Sequence, residues 1–183
     1  MNAELVEKLL AIHSALKQHS LPHAFGGAIA LAYCVQEPRG TRDLDVNIFV
    51  DADRAADVLA ALPDGVRVDE GDVETVIRDG QTRLFWDGVP IDVFLNNLPI
   101  HEEVANGVLW VDLQGTRIPV LDCTSLVIFK SLFGRTRDWG DIEEVALATP
   151  KDVDAAVKAV AGLIGEDDPS FKRLAEISAA NPP

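Results

Sequence analysis

The chain has 183 residues, of which 48% are apolar and 25% are charged, a mixture typical of a protein with one buried core. It contains 16 Lys and Arg residues and 30 Asp and Glu residues, so the net charge is -14 at pH 7. This charge disfavours nucleic-acid binding over the whole surface, because phosphate contacts need basic patches, but it allows a small basic pocket. No leader and no apolar run near the ~20 residues of a membrane span is visible, so we expect a soluble cytoplasmic protein without a membrane partner. Cys34 and Cys123 form neither a metal-ligand spacing nor a disulfide framework, and we expect reduced thiols.

The first third of the chain predicts helices that alternate with short strands. Apolar residues at helical spacing mark the helices, and an alternating apolar pattern marks the strands. In chain order we predict a helix over 2–18, a strand at 23–25, a buried helix over 28–35, a strand at 46–50 and a helix over 53–62.

The middle of the chain changes to short strands, and the last third is helical. Asp79-Gly80 and Asp87-Gly88 are strong hairpin signals. Five strands are predicted, at 75–78, 82–86, 89–95, 108–113 and 117–120, after an acidic loop at 64–74. Four helices follow, at 124–133, 141–148, 153–164 and 171–179. This succession predicts an α+β fold in which helices flank a mixed β-sheet, with a core over 1–121 and a short helical tail over 122–183 packed on it as one compact unit.

Asp43 and Asp45 are the most informative pair in the sequence. In an extended strand they project to the same side, while Leu44 turns into the core. Two such charges repel by roughly 4 kcal/mol at an effective dielectric of about 20, which a shared proton, a cation or open solvent would offset. Mg²⁺ binds one or two carboxylates and completes its shell with phosphate oxygens and water, so the pair favours a metal site.

Asp92 and the pair Gly26-Gly27 extend this pattern. Asp92 has only apolar neighbours in 90–95, where a carboxylate without a partner would be costly, and a shared metal would supply one. The glycines open a helix, whose N-terminal N–H groups can bind a phosphate. The structural alternative is a turn cap at Asp43, a solvated Asp45, a strand-edge Asp92 and a simple glycine turn.

In this order, the residues resemble the nucleotidyltransferase superfold of DNA polymerase beta, and in detail its AbiEii-like and MenT-like toxin branch. That branch carries Gly-Gly or Gly-Ser, then Arg-x-Ser/Thr-x-Asp-x-Asp, a later strand Asp, and Lys…Arg-x-Lys-Asp-x-x-Asp. The matching residues are Gly26, Gly27, Arg39, Thr41, Asp43, Asp45, Asp92, Lys130, Arg135, Asp138 and Asp141. Arg137 stands where the branch has Lys, and the short helical tail leaves out a full second substrate-binding domain.

The resemblance implies a nucleotidyltransferase-like mixed sheet and an enzyme that moves an NMP from a nucleoside triphosphate to a hydroxyl acceptor with Mg²⁺ (or Mn²⁺). Its catalytic residues would be Asp43, Asp45, Asp92 and Lys130, of which the three carboxylates would hold the metal and Asp92 could instead act as general base. The nucleotide and its phosphates would be bound by Gly26, Gly27, Arg39, Thr41, Lys130, Arg135, Asp138 and Asp141. We expect the Lys130 ammonium to reach out towards the cleft.

The acceptor stays open at this point. The toxin branch implies RNA, in particular a tRNA 3′ end, and a cognate antitoxin protein as partner. The alternatives are a small-molecule acceptor, as in antibiotic nucleotidyltransferases, and a non-catalytic nucleotide-binding module; the cluster over 130–141 could equally be a surface salt-bridge lattice. Thr41 is either a strand-entry hydroxyl or a phosphate ligand, and could also be a regulatory target. All three Trp are expected to pack in the core, with base stacking as the alternative for Trp139.

Overall fold

The computed structural model describes residues 2–37 and 40–182, which fall into two compact units. The first unit comprises residues 2–29 and 40–121 and contains the β-sheet. The second comprises residues 30–37 and 122–182 and is helical.

Helices and short strands alternate along the first unit, as the hydrophobic periodicity predicts. In chain order they are α1 (Ala3–Gln18), β1 (His23–Phe25), α2 (Gly27–Val35, which continues into the second unit), β2 (Leu44–Asp51), a 3₁₀ turn (Ala52–Arg54), α3 (Ala55–Ala60), α4 (Glu70–Asp79), β3 (Gln81–Trp86), β4 (Val89–Asn96), α5 (His101–Asn106), β5 (Leu109–Leu113) and β6 (Thr116–Val120).

The strands of the described residues form one six-stranded sheet in the order β3-β4-β2-β1-β6-β5. β2 runs parallel to β4, and β1 runs parallel to β6. The remaining neighbours are antiparallel, so the sheet is mixed. The register between β2 and β4 places Asp45 beside Asp92. Two of the predicted site residues therefore lie at the same level of adjacent strands.

The core of the first unit fixes the orientation of β2. Leu44, Val46 and Ile48 are buried in one cluster with α1 residues such as Leu9 and Ile12. Each fully buried side chain of this kind contributes about 1.5–3 kcal/mol, so turning the strand over would be strongly unfavourable. Because alternate residues of a strand point to opposite faces, this packing directs Asp45 away from the core.

The predicted strand at 75–78 is wrong, because those residues lie in α4. Asp69 caps this helix: its side chain accepts a hydrogen bond from the Asp72 N–H, and the Asp72 carboxylate accepts one from the Asp69 N–H. Gly80 ends the helix in the left-handed conformation with φ 72°. Asp79-Gly80 is therefore a helix end, whereas Asp87-Gly88 forms the predicted hairpin turn. The local signal is ambiguous because both structures need positive φ.

The second unit contains four helices among the residues described. They are α6 (Cys123–Phe133), α7 (Thr136–Ala148), α8 (Pro150–Ile164) and α9 (Pro169–Ala180). α8 packs against α6, α7 and α9, and side chains such as Val127, Ile142 and Val160 are fully buried. Asp122 and Asp168 cap the starts of α6 and α9 by accepting backbone N–H hydrogen bonds. No described helix has the length and apolar composition needed to cross a membrane.

The expectation of two reduced thiols is wrong, because Cys34 and Cys123 form a disulfide within the second unit. The bond joins α2 to the first turn of α6 across a sequence separation of 89 residues. The Cα atoms lie 5.5 Å apart, a normal spacing for a disulfide. Two cysteines so far apart in sequence form no recognisable framework, and only the packing of the two helices brings them together.

A buried histidine pair lies between α1 and β1. The His23 Nδ1 lies 2.8 Å from the Leu21 carbonyl oxygen, which can only accept, so Nδ1 donates. His23 Nε2 then accepts from His13 Nδ1 at 2.9 Å. Burial lowers the pKa of His23 to about 4, and burial together with the positive charge of Lys17 lowers the pKa of His13. Both rings are therefore neutral in the folded protein at pH 7.

The histidine pair predicts a loss of stability in mild acid. A histidine whose pKa is lower in the folded than in the unfolded state stabilises the fold above pH 6.5, and this contribution disappears as the pH falls towards 4. For His23 we expect the free energy of unfolding to fall by about 3 kcal/mol over this window. Urea denaturation at a series of pH values measures it. His23→Gln should flatten the pH dependence, and an unchanged slope would contradict the assignment.

Candidate active site

Three carboxylates lie together at one end of the β2–β4 pair. Asp45 is on β2, Asp92 is its register partner on β4, and Asp43 immediately precedes β2. Leu44 between the first pair is fully buried, as predicted, and Asp43 and Asp45 are both partly exposed. Backbone pairing thus brings together acidic residues that are separated by almost fifty positions in the sequence.

Two neighbours hold Asp43 and Asp45 in place. The Thr41 hydroxyl donates a hydrogen bond to Asp43 Oδ1 at 2.5 Å, so Thr41 orients a carboxylate of the site. Gly27 opens α2 with a positive φ of 50° and lies directly against the Asp45 side chain, where a Cβ atom would overlap the carboxylate. The missing side chain at Gly27 is therefore required both for the turn and for the space that Asp45 occupies. The Gly26 N–H donates to the Asp45 carbonyl oxygen at 2.9 Å, so it serves the sheet.

Arg83 is the residue of this site that the sequence reasoning missed. It lies on β3 opposite Asp92, and its Nε and Nη2 atoms each donate to one Asp92 oxygen at 2.7 Å. The hydrogen bond to Asp92, followed by attraction to Asp92, Asp43 and Asp45, raises the pKa of the guanidinium above its usual range. A signal was available: a two-residue hairpin turn at Asp87-Gly88 fixes the register of the strands and places position 83 opposite position 92.

The donor set of the first unit fits a magnesium site that is completed by substrate. Across residues 2–37 and 40–182, no group of three or more His, Cys, Asp or Glu side chains is placed to hold a metal ion by itself. Mg²⁺ does not need such a group, since it commonly uses one or two carboxylates with phosphate oxygens and water. Asp43 and Asp45 could supply these carboxylates, and Gly27 keeps the backbone beside Asp45 free of a side chain. Asp92, in contrast, is engaged by Arg83.

The predicted cationic cluster lies in the second unit, and its lysine is buried. Lys130 Nζ donates to Asp138 Oδ1 at 3.2 Å and to Asp141 Oδ2 at 2.6 Å. Its side chain is only 10% exposed, so the expectation that the ammonium reaches out towards a cleft is wrong. Lys130 stands in a largely apolar helix, and two acidic residues of the next helix supply its partners within the unit.

Asp138 links this buried lysine to an exposed arginine. Its Oδ2 accepts from Arg135 Nε at 2.7 Å, and the Arg135 side chain is 64% exposed. Burial alone would raise the pKa of Asp138, but hydrogen bonds and attraction from Arg135 and Lys130 outweigh it and lower the pKa below its ordinary value. Asp138 also accepts from the Arg135 N–H and so caps α7. The cluster is therefore internally charge-balanced.

The remaining sequence predictions have mixed outcomes. Trp139 is buried as expected, and its Nε1 donates to the Gly134 carbonyl oxygen. The Arg173 guanidinium lies 4.7 Å from the centroid of the Trp139 ring, and a stacked base would have to occupy this position. Trp110 is 51% exposed, so its assignment to the core is wrong. The predicted phosphate ligand Arg39 lies outside the described residues.

Comparison with known proteins identifies the fold. No protein-family model and no curated protein matches the sequence. The solution structure of the antibiotic-resistance factor ANT(2″)-Ia aligns with a TM-score of 0.56 and 12% identity over 98% of this chain and 92% of that one. The crystal structure of ANT(2″)-Ia in complex with adenylyl-2″-tobramycin gives 0.56 and 14% over 97% of each chain. An antigenic nucleotidyltransferase-like protein from Paracoccidioides brasiliensis gives 0.50 and 14% over 100% and 91%.

These similarities show that the chain has the fold of the nucleotidyltransferases. The predicted α+β class, with a mixed sheet flanked by helices and a helical C-terminal part, is confirmed. Since the identities are all below 25%, the similarity establishes the architecture, and the chemistry has to be argued from the residues.

The buried lysine cluster predicts a large loss of stability on substitution. Lys130→Met leaves Asp138 and Asp141 buried beside a neutral side chain, and breaking a buried ion pair in this way costs about 3–5 kcal/mol. Urea denaturation of the two proteins gives the difference in the free energy of unfolding. Lys172→Met, which removes an exposed lysine 3.7 Å from Asp167, is the control and should change little. Equal effects would show that Lys130 is not a structural ion pair.

Proposed function

We propose that this protein is a nucleotidyltransferase that uses Mg²⁺ (or Mn²⁺) to transfer an NMP from a nucleoside triphosphate to a hydroxyl acceptor. The observation that supports the proposal best is the position of Asp45 beside Asp92, with Asp43 two residues away and a glycine-opened helix against them. This arrangement occurs on the fold shared with ANT(2″)-Ia. The nucleoside triphosphate substrate comes from a nucleotide pool, so we propose that the activity is cytoplasmic.

Each residue of the first unit receives a role from its contacts. Asp43 and Asp45 would hold the divalent cation, which when bound supplies positive charge against the triphosphate. Thr41 orients Asp43 through its hydroxyl. Asp92, which also pairs with Arg83, would accept the proton of the attacking hydroxyl or act as a further metal ligand. Gly27 and the first turn of α2 present backbone N–H groups to the phosphates, while the Gly26 N–H supports the strand that carries Asp45.

The cations complete the assignment as the family resemblance implies. Arg135 is exposed, and its guanidinium, which also pairs with Asp138, could contact phosphate oxygens. Lys130, Asp138 and Asp141 form the buried ion-pair network that holds Arg135 at the start of α7, and we propose that the network contributes to nucleotide binding through it. Arg39 remains a proposed phosphate ligand.

Removing either carboxylate of the aspartate pair should abolish transfer. Asp43→Asn and Asp45→Asn keep the shape of the side chain but take away a charge that the cation needs, so we expect turnover to fall at least about a hundredfold. Release of pyrophosphate measures turnover, and the thermal unfolding temperature verifies the fold. Asp53→Asn, an exposed acid in the 3₁₀ turn, is the matched control. Unchanged turnover in both site variants would refute the mechanism.

The charge of the protein favours a cationic acceptor over RNA. Residues 2–29 and 40–121, which carry the three carboxylates, contain 18 acidic and eight basic side chains. Such a surface repels a polyanion and attracts a polyamine. The ANT(2″)-Ia structure with adenylyl-2″-tobramycin shows a protein of the same fold bound to a nucleotidylated aminoglycoside. We therefore propose a hydroxyl-bearing, positively charged small molecule as the first candidate acceptor.

The second candidate acceptor is the 3′ end of a tRNA, with a cognate antitoxin protein as partner. It is supported by the resemblance of the motifs to the AbiEii-like and MenT-like toxins. The exposed side chain of Arg42 in the first unit, or those of Arg135 and Arg137 in the second, could contact phosphates despite the acidic surroundings.

A labelling experiment separates these candidates. The protein, Mg²⁺ and α-³²P-labelled nucleoside triphosphates are incubated with aminoglycosides, with lincosamides and with total cell RNA. We expect label on an aminoglycoside, with Asp43→Asn as the inactive control. Label on RNA would instead favour the second candidate acceptor, the 3′ end of a tRNA. No label in any tube would overturn the transferase proposal and favour a non-catalytic nucleotide-binding module.

A further inference from the structure

The basic side chain of Arg83 contacts a carboxylate of the candidate active site directly. Its planar guanidinium meets both oxygens of Asp92, with two N···O distances of 2.7 Å. The Asp92 side chain is 14% exposed, whereas that of Arg83 is 53% exposed on the edge strand β3. The arginine therefore approaches the acidic cluster from the solvent side.

A second arginine–aspartate pair, on the protein surface, has the same fork geometry and serves for comparison with the Arg83–Asp92 contact. Arg78 also makes a fork with a carboxylate, through Nε and Nη2 to Asp79 at 2.9 and 2.8 Å. That pair is formed by adjacent residues, and both side chains are well exposed, so little stability is expected from it. Arg83 instead bridges two strands and faces three acidic groups.

We propose that Arg83 is the resident counter-cation of the Asp43, Asp45 and Asp92 cluster and the positioning residue for Asp92. It neutralises part of the carboxylate charge before a divalent cation binds, and its own charge weakens the binding of that cation. The inference rests on the proposed metal site. It adds a residue that the sequence motifs do not contain.

Charge and geometry both lead to this role. Asp45 and Asp92 at one level of the sheet, with Asp43 two residues before Asp45, repel one another, and a fixed positive charge beside them offsets the repulsion. A divalent cation added to the same cluster is repelled by that charge, so the two cations oppose each other. Because both Asp92 oxygens accept from Arg83, the guanidinium also fixes the orientation of the Asp92 carboxylate. The exposed position of Arg83 leaves it room to turn away.

Binding of Mn²⁺ to the purified full-length protein tests the proposal without measuring activity. The concentration of free Mn²⁺, read from its electron paramagnetic resonance signal, gives the dissociation constant for wild type and variants. Arg83→Gln should bind Mn²⁺ roughly tenfold more tightly, because removing a full positive charge beside a divalent-ion site strengthens binding by about this factor even with water-like screening. Without metal, the same variant should unfold at a lower temperature than wild type.

Two further variants separate charge from shape and from position. Arg83→Lys keeps the charge but loses the fork, so its affinity for Mn²⁺ should stay close to that of wild type. Arg78→Gln removes the same charge from the matched surface pair and should also leave the affinity nearly unchanged.

The outcomes distinguish this inference from the proposed function. If neither wild type nor Arg83→Gln binds Mn²⁺, the metal site itself is refuted, and the inference is lost with it. If wild type binds but Arg83→Gln binds equally or more weakly, Arg83 is not a counter-cation, while the metal site stands. If Arg83→Gln does not fold, Arg83→Lys decides: tenfold tighter binding by that variant would overturn the role of charge.

Discussion

The mutual repulsion of three carboxylates is the constraint on which the candidate site depends. Asp45 and Asp92 are neighbours across parallel strands, and Asp43 lies two residues before Asp45. The strand cannot relieve the repulsion by turning over, because Val46 and its alternate neighbours are buried on the other face. Each carboxylate has a local contact. The Thr41 hydroxyl donates to Asp43, Gly27 leaves space for the Asp45 side chain, and the Arg83 guanidinium donates to Asp92. Because the fold keeps these carboxylates together despite their repulsion, their negative charge is available to bind a cationic ligand.

The two units treat acidic groups in different ways. In the second unit, Asp138 and Asp141 are buried, and Lys130 and Arg135 match their charge within the same unit. Such a network is fully satisfied and adds rigidity. In the first unit, Asp43, Asp45 and Asp92 remain partly exposed, and Arg83 pairs with Asp92. This difference explains why we assign metal binding to the first unit and give Lys130 an indirect role.

The fold and the charge of the first unit together guide the choice of a candidate acceptor. The nucleotidyltransferase architecture is shared with ANT(2″)-Ia over almost the whole of both chains, although the sequences are only 14% identical. At that distance, the fold identifies the kind of scaffold, and the acceptor depends on the surface around the site. The strongly acidic first unit is poorly suited to a polyanion and well suited to a cation, since long-range attraction raises the local concentration of the oppositely charged ligand.

Sequence alone determined the α+β class and most of the element boundaries, because these depend on local periodicity. The assignment of the three carboxylates to an active site comes from side-chain chemistry and stays a prediction. Sequence reasoning misassigned 75–78, where an aspartate-glycine pair ends a helix. Only the tertiary structure decided the disulfide, the burial of Lys130 and the pairing of Arg83 with Asp92. Those three contacts join residues on different elements, and the distance between such residues is set by how strands and helices pack, a quantity that no local pattern carries.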